Sequence, residues 1–236
     1  MIRYFLCIIV VSLFFTIGQV SVLILFIIGL FNKKYEYIGY KKTVLAIFSI
    51  IKFLSGAEYK IIGKENIINN EPTLIIANHR SIFDVIIGYG LFNKDLVFVS
   101  KIEHKRIPIF SFWMKKINCI FLDRNDLRSG FNMIIKSVEY INNGVSVFIF
   151  PEGTRNHNKI PYDLIEFKEG SFKIAEKTNC LIQPVAFLNT DHIFDNHKKT
   201  IYVIIGEAKK YNDCNIEDKK IGEYFKNIIS NMIKTI

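Results

Sequence analysis

Two short stretches carry residue types whose spacing suits acid–base chemistry next to an anion. The first is Asn78-His79-Arg80-Ser81-Ile82-Phe83-Asp84. A His and an Asp five apart do not share a face of one regular helix, because five residues rotate about 140° past a full turn. They meet if His79 sits in a turn and Asp84 lies one turn inside the helix that follows, with Ser81 as its N-cap. Asp84 then accepts from one imidazole nitrogen, fixes the tautomer and leaves the other nitrogen free as a base. Taken alone, the pair equally describes a surface histidine and a second capping carboxylate. The second stretch, Phe150-Pro151-Glu152-Gly153-Thr154-Arg155, shifts that balance. A tight turn after an apolar strand exposes Thr154 and Arg155 at the strand's C-terminal end, where α/β folds bind ligands. Arg155 offers a planar fork of donors to phosphate. Glu152 is expected to orient Arg155 or to accept from a ligand hydroxyl, and Gly153 allows close backbone approach.

The elements that must position these residues are legible in the pattern. Seven β-rich runs follow Ala57: Tyr59–Ile62, Thr73–Ala77, Leu96–Val99, Cys119–Leu122, Val145–Phe150, Leu181–Phe187 and Ile201–Ile205. Helical stripes lie between and after them. One runs through Leu127, Phe131, Ile134, Ile135, Val138 and Ile141, and another through Ile221, Tyr224, Phe225, Ile228, Ile229, Met232 and Ile233; both are expected to face core or interface. The alternation predicts an α/β fold with a mixed, largely parallel sheet flanked by helices. No dinucleotide or P-loop glycine pattern occurs.

The N-terminus differs in kind. No charged residue occurs from Tyr4 to Asn32, a run too long for an ordinary core helix. Gly18-Gln19 interrupts it, so a tilted span and a re-entrant hairpin both fit. No small-residue cleavage site follows; Lys33 and Lys34 do, and with Lys41 and Lys42 they point to the cytoplasmic side. Thr43–Gly56 reads as an interfacial helix with Lys41, Lys42 and Lys52 reaching headgroups; a helix packed on the globular body is the other reading. The expected division is 1–56, membrane-associated helices, and 57–236, catalytic domain.

Asn-His-x-Ser-x-x-Asp followed by Phe-Pro-Glu-Gly-Thr-Arg resembles the glycerolipid acyltransferase superfamily, in particular bacterial 1-acylglycerol-3-phosphate acyltransferases. The resemblance runs from about Tyr59 to Phe187. It implies that His79 and Asp84 are catalytic and that Lys101, Arg124, Glu152, Gly153, Thr154 and Arg155 bind substrate. Phe121-Leu122-Asp123-Arg124 resembles the block whose Arg is associated with the acceptor phosphate. Gln183-Pro184-Val185 resembles the block linked to the acyl donor. Ser111 and Asn118 stand where the family commonly has glycine, and Leu181 where it often has proline; these departures bear on acceptor and chain preference. The implied reaction moves a fatty acyl group from acyl-coenzyme A or acyl carrier protein to a lysophospholipid, with no metal or other cofactor, at the inner face of the cytoplasmic membrane. Glycerol 3-phosphate and other lysolipids stay open as acceptors.

Composition narrows the rest. The chain has 236 residues, room for one sizeable catalytic unit. Lys and Arg number 31 against 22 Asp and Glu, which suits anionic headgroups or an acidic carrier, though biased codon usage gives the same excess. No nucleic-acid motif accompanies the charge. Cys7, Cys119, Cys180 and Cys214 are scattered, with neither disulfide nor zinc spacing. A serine hydrolase needs a nucleophile elbow, and no G-x-S-x-G occurs. A non-catalytic lipid-binding protein remains the alternative from a different class.

Overall fold

The computed structural model describes residues 2–195, 200–214 and 220–236. Its strands are β1 (Tyr59–Ile62), β2 (Thr73–Ala77), β3 (Leu96–Lys101), β4 (Ile120–Leu122), β5 (Ser146–Ile149), β6 (Leu181–Leu188), β7 (Ile201–Ile205) and β8 (Lys209–Lys210). They form one sheet in the order β1-β7-β6-β2-β5-β3-β4, with β8 beside β6. From β6 to β4 every pairing is parallel; β7 runs antiparallel to β6, and β1 parallel to β7. The expected strands therefore all form, in a mixed and largely parallel sheet.

Continuous apolar runs in the central strands are what a sheet covered on both faces requires. Every residue of β2 and β5 is buried. Their side chains alternate between two cores, as strand geometry dictates. Leu74, Ile76, Val147 and Ile149 face Met133 of α5 (Leu127–Asn142), Ile174 of α6 (Lys173–Thr178) and Phe225 of α7 (Ile221–Lys234). Ile75, Ala77, Phe98 and Phe148 join the cluster containing Tyr40 and Val44 of α2 (Lys33–Ser55), Phe83 of α3 (Ile82–Leu91) and Trp113 of α4 (Pro108–Lys116).

α7 buries Ile221, Phe225, Ile229 and Ile233, in line with its stripe. α5 follows its stripe only in part, with Ile141 buried and Ile134 and Val138 packed against the core. Leu127, Phe131 and Ile135 are 84%, 66% and 56% exposed, while the row Met133, Ser137 and Ile141 meets the sheet. The outer row stands roughly 120° round the helix from the buried one, so an apolar stripe this broad cannot all reach the core.

α1 (Ile2–Phe31) and α2 form an antiparallel hairpin turned at Asn32, whose side chain accepts from Lys34 and Tyr35 N–H. Gly39 lets the helices close: a Cβ there would lie 2.1 Å from Leu25. α1 bends by 40° between Ile2–Thr16 and Gly18–Phe31. Among the described residues no single helix is long and apolar enough to cross a membrane, although the bent pair together has the length and composition. The N-terminal end of α1 stays against the body, since Arg3 donates to the Gly56 carbonyl and Tyr4 packs on Phe194. α2 begins ten residues before the expected Thr43. It packs on α3 and α4 with Tyr40, Val44 and Ile51 buried. Lys41 does not reach outward for headgroups; its ammonium binds Asp95 at 2.6 Å and the Lys94 carbonyl at 3.1 Å. A nearby carboxylate and a preformed carbonyl hold that lysine to the globular body.

Candidate active site

The C-terminal ends of β2, β5, β3 and β4 lie side by side, and the chain leaves them at Asn78, Phe150, Ile102 and Asp123. The register Ile76↔Ile149 brings His79 level with Glu152. Sequence positions 73 apart thus become neighbours because their strands are hydrogen-bonded in parallel.

Asn78 sets the turn. Fully buried, it donates to the Phe187 carbonyl at 2.9 Å and accepts from the Phe187 N–H at 2.7 Å, tying the end of β2 to β6. Ser81 then caps α3, its hydroxyl accepting from Phe83 N–H, and Asp84 closes a capping box at N3. That hydroxyl serves as a cap, which leaves it poorly suited to nucleophilic attack.

Asp84 is completely buried, and its Oδ2 accepts three hydrogen bonds: from His79 Nδ1 at 2.8 Å, Arg80 N–H at 2.6 Å and Ser81 N–H at 2.8 Å. Two of these donors are backbone N–H groups at the N-terminus of α3, which fix the carboxylate in place. With Asp84 accepting, Nδ1 carries the proton and Nε2 the lone pair. Phe150 stacks on the imidazole with ring centroids 4.1 Å apart and fixes its plane. The His79 side chain is 15% exposed, enough for its ring edge to meet a substrate.

Glu152 departs from expectation. It is 2% exposed and binds neither Arg155 nor open solvent. One oxygen accepts from His79 N–H at 2.7 Å and the other from Ile165 N–H at 3.0 Å. It is a clamp between the His79 turn and the loop after β5. Burial pushes its carboxyl up to about 7, against those backbone bonds. Asn156 N–H adds a bond to the His79 carbonyl at 2.7 Å. Gly153 takes φ +73°, a left-handed turn that a side chain would strain, and Lys168 lies 3.2 Å from where a Cβ would stand. Thr154 and Arg155 are exposed beyond it.

Lys101, Arg124 and Arg155 gather around His104. Lys101, at the end of β3, pairs with Glu103 at 2.7 Å. That hydrogen bond holds the Glu103 carboxyl below its ordinary range, and Arg124 adds to the effect. Arg155, Lys101 and Arg124 all act electrostatically on His104, whose pKa burial lowers first. Arg124 and Arg155 form no salt bridge among the described residues, so the cluster holds more positive charge than it neutralises. Such an excess of positive charge suits an anion.

Several contributors escaped the sequence reading. Arg80 is 7% exposed and bridges Asp191, at 2.7 Å, to the Asn158 carbonyl, at 3.1 Å, bracing the site from behind. Phe150 and Asn78 lay inside the motifs, yet nothing in the spacing told of stacking or of a tie to β6. Gln183 is buried within the sheet and donates to the Gly206 carbonyl while accepting from Ile68 N–H; it makes no contact with the dyad. Among the described residues no group of three His, Cys, Asp or Glu side chains could hold a metal ion.

The chain is similar to several known proteins. A 1-acyl-sn-glycerol-3-phosphate acyltransferase from Borreliella burgdorferi is 30% identical over 80% of this chain and 74% of its own length. One from Saccharomyces cerevisiae is 26% identical over 82% of this chain but 65% of its own, so the chain spans slightly under two thirds of that relative. A crystal structure of the 1-acyl-sn-glycerophosphate (LPA) acyltransferase from Thermotoga maritima shares the fold, with TM-score 0.79, 18% identity and coverage of 100% and 96% of the two chains. The Acyltransferase family model matches residues 58–188, which contain both motifs and all four strand ends around them. With that match over more than half its length, the chain belongs to the Acyltransferase family.

Proposed function

We propose that the protein transfers a fatty acyl group from an acyl thioester to the free hydroxyl of 1-acylglycerol 3-phosphate, forming phosphatidate for phospholipid synthesis. The observation that carries this reading is the 2.8 Å His79–Asp84 bond at the rim of a cation cluster. Nε2 of His79 removes the hydroxyl proton as the oxygen attacks the thioester carbonyl. The tetrahedral intermediate collapses, the C–S bond breaks, and the thiolate takes the proton back from the imidazolium. Asp84 holds the ring in the productive tautomer and stabilises its charge. Arg155, Arg124 and Lys101 hold the acceptor's phosphate and so place its hydroxyl beside Nε2. Gly153 and Thr154 shape that rim, and Glu152 positions the His79 backbone. The acceptor follows that of the similar acyltransferases; glycerol 3-phosphate and other lysolipids are the alternatives.

The reading includes attachment to the inner face of the cytoplasmic membrane. Leu23, Phe26 and Leu30 on α1 are 62%, 51% and 65% exposed, an apolar row suited to lying in the bilayer interface. With its N-terminal end held to the body and its C-terminal half packed on α2, α1 dips into one leaflet and leaves the site open to the lipid acceptor. The deciding experiment incubates purified protein in detergent with a panel of acceptors and of acyl-coenzyme A and acyl carrier donors, with products read by mass. Phosphatidate from lysophosphatidate is expected; no ester product from any pair would overturn the reading.

A further inference from the structure

His104 is a titratable side chain that the proposed chemistry leaves unused. It belongs to the 3₁₀ turn Ile102–Arg106, which follows β3 at the same end of the sheet as His79. Its Nδ1 lies 2.8 Å from the Ser100 hydroxyl, and the Phe110 ring meets it edge-on with centroids 5.6 Å apart. These contacts fix the ring plane and engage Nδ1. Among the described residues no group hydrogen-bonds Nε2. With the Ser100 hydroxyl donating to Nδ1, Nε2 carries the proton and is a donor. Arg155, Lys101 and Arg124 act on the ring from three different connections, and Glu103, which opposes them, is already paired with Lys101 at 2.7 Å. Burial and the cations hold the imidazole below its ordinary pKa, so the free enzyme keeps a neutral ring there.

Strand geometry sets how far this ring stands from the dyad. β3 pairs with β5 through Phe98↔Phe148, and β5 with β2 through Ile149↔Ile76. Two residues beyond the first of these pairs stand Ser100 and Phe150, on the same face of the sheet as Phe98 and Phe148. The Phe150 ring accordingly lies 5.2 Å from Phe148 and 6.4 Å from Phe98. Phe150 stacks on His79 at 4.1 Å, and Ser100 holds His104. The two imidazoles therefore end one row across the sheet, about two strand spacings or 10 Å apart. In 1-acylglycerol 3-phosphate a path of five bonds joins the reacting oxygen to a terminal phosphate oxygen. Extended, with a hydrogen bond at each end, that path spans about 11 Å, so one acceptor can touch both rings.

Resting on the acceptor reading above, we propose that His104 is a further ligand of the acceptor's phosphate, its Nε2–H donating to a phosphate oxygen while Nε2 of His79 takes the hydroxyl proton. Ser100 is its positioning residue and holds the donating tautomer. Arg155, Arg124 and Lys101 supply fixed charge; His104 supplies a charge that answers the ligand. A phosphate dianion beside the ring favours the imidazolium, whose Nδ1–H then donates to the Ser100 oxygen. Binding takes up a proton, and the contribution of His104 grows as pH falls.

The test measures binding of 1-acylglycerol 3-phosphate to the full chain in detergent without an acyl donor, so no turnover is needed, with phosphate-free 1-acylglycerol as the control lipid. Each variant is compared with the wild type at the same pH, which cancels the titration of the ligand itself. In His104→Ala the affinity for the phosphorylated lipid should fall about threefold at pH 8, where a neutral donor is lost, and about tenfold or more at pH 6, where a charged one is. Binding of the control lipid should not change. His104→Gln keeps an uncharged N–H donor, so it should recover affinity at pH 8 and not at pH 6. Ser100→Ala should fall between the wild type and His104→Ala. In steady state the acceptor KM should rise and the donor KM stay unchanged. Unchanged affinity in His104→Ala overturns the proposal, as does an equal loss for the control lipid, a loss of the same size at both pH values, or a rise in donor KM alone. A wild type that binds the phosphorylated lipid through His104 yet forms no ester from it would sink the transfer reading alone.

Discussion

Replacing Asp84 by Asn keeps the shape of the side chain and changes only what it can accept, so it isolates the dyad's chemistry. In the wild type one oxygen, Oδ2, serves three donors: Arg80 N–H at 2.6 Å, Ser81 N–H at 2.8 Å and His79 Nδ1 at 2.8 Å. An Asn can turn its carbonyl oxygen toward the two backbone donors and keep the capping box. Because that same oxygen also serves His79, the bond to Nδ1 and the tautomer survive, and the amide nitrogen takes the place of Oδ1, which has no partner. The imidazole stays in place but loses the negative charge that stabilises its protonated form. The expected loss in kcat is about 10²–10⁴, the usual worth of a positioned general base. Stability should change far less, by about 1–3 kcal/mol for weakened charge-assisted bonds at a helix N-terminus. The assay pairs single-turnover acyl transfer, read by product mass, with urea unfolding. Because the two residues act as one unit, the Asp84→Asn/His79→Ala double variant should be no slower than His79→Ala alone. Near-normal turnover in a folded Asp84→Asn protein would refute the reasoning, as would losses in the double variant that multiply.

Arg155→Ala should raise the acceptor KM by about tenfold or more through loss of a charge-assisted phosphate contact. Arg155→Lys should recover only part, because an ammonium cannot reproduce the fork; a selective rise in donor KM would reassign the residue. Glu152 makes a pH prediction. The native state keeps its proton to about 7 against an ordinary 4.5, so it binds more protons than the unfolded chain between those values. This group should therefore cost the wild type about 3 kcal/mol of stability as pH rises across that window, an effect absent from Glu152→Gln. Urea titrations of both proteins at pH 5 and 8 check it, and equal slopes would count against it. Changing Leu23, Phe26 and Leu30 together to Asn should sharply reduce liposome flotation, at about 1.5 kcal/mol or more for each buried apolar side chain, with circular dichroism unchanged; undiminished flotation would move the membrane contact elsewhere.

The strands were readable from the chain because a sheet buried on both faces demands continuous apolar runs, and Thr73–Ala77 and Ile201–Ile205 fall where the pattern placed them. The His79–Asp84 meeting was readable as well, since a cap, a turn and one helical turn are local geometry that five residues encode. Other features depend on partners distant in sequence. Glu152 became a clamp for His79 only because β2 and β5 pair in parallel, a register no local pattern specifies. Lys41 turned inward to Asp95, 54 residues away, and α2 became a core helix because α3 and α4 offered it an apolar seat. α5 exposed Leu127 and Phe131 because a helix on a flat sheet buries one row of side chains, and the sheet decides which row. Periodicity states that a face exists; only the neighbouring elements determine which residues on it lose contact with water.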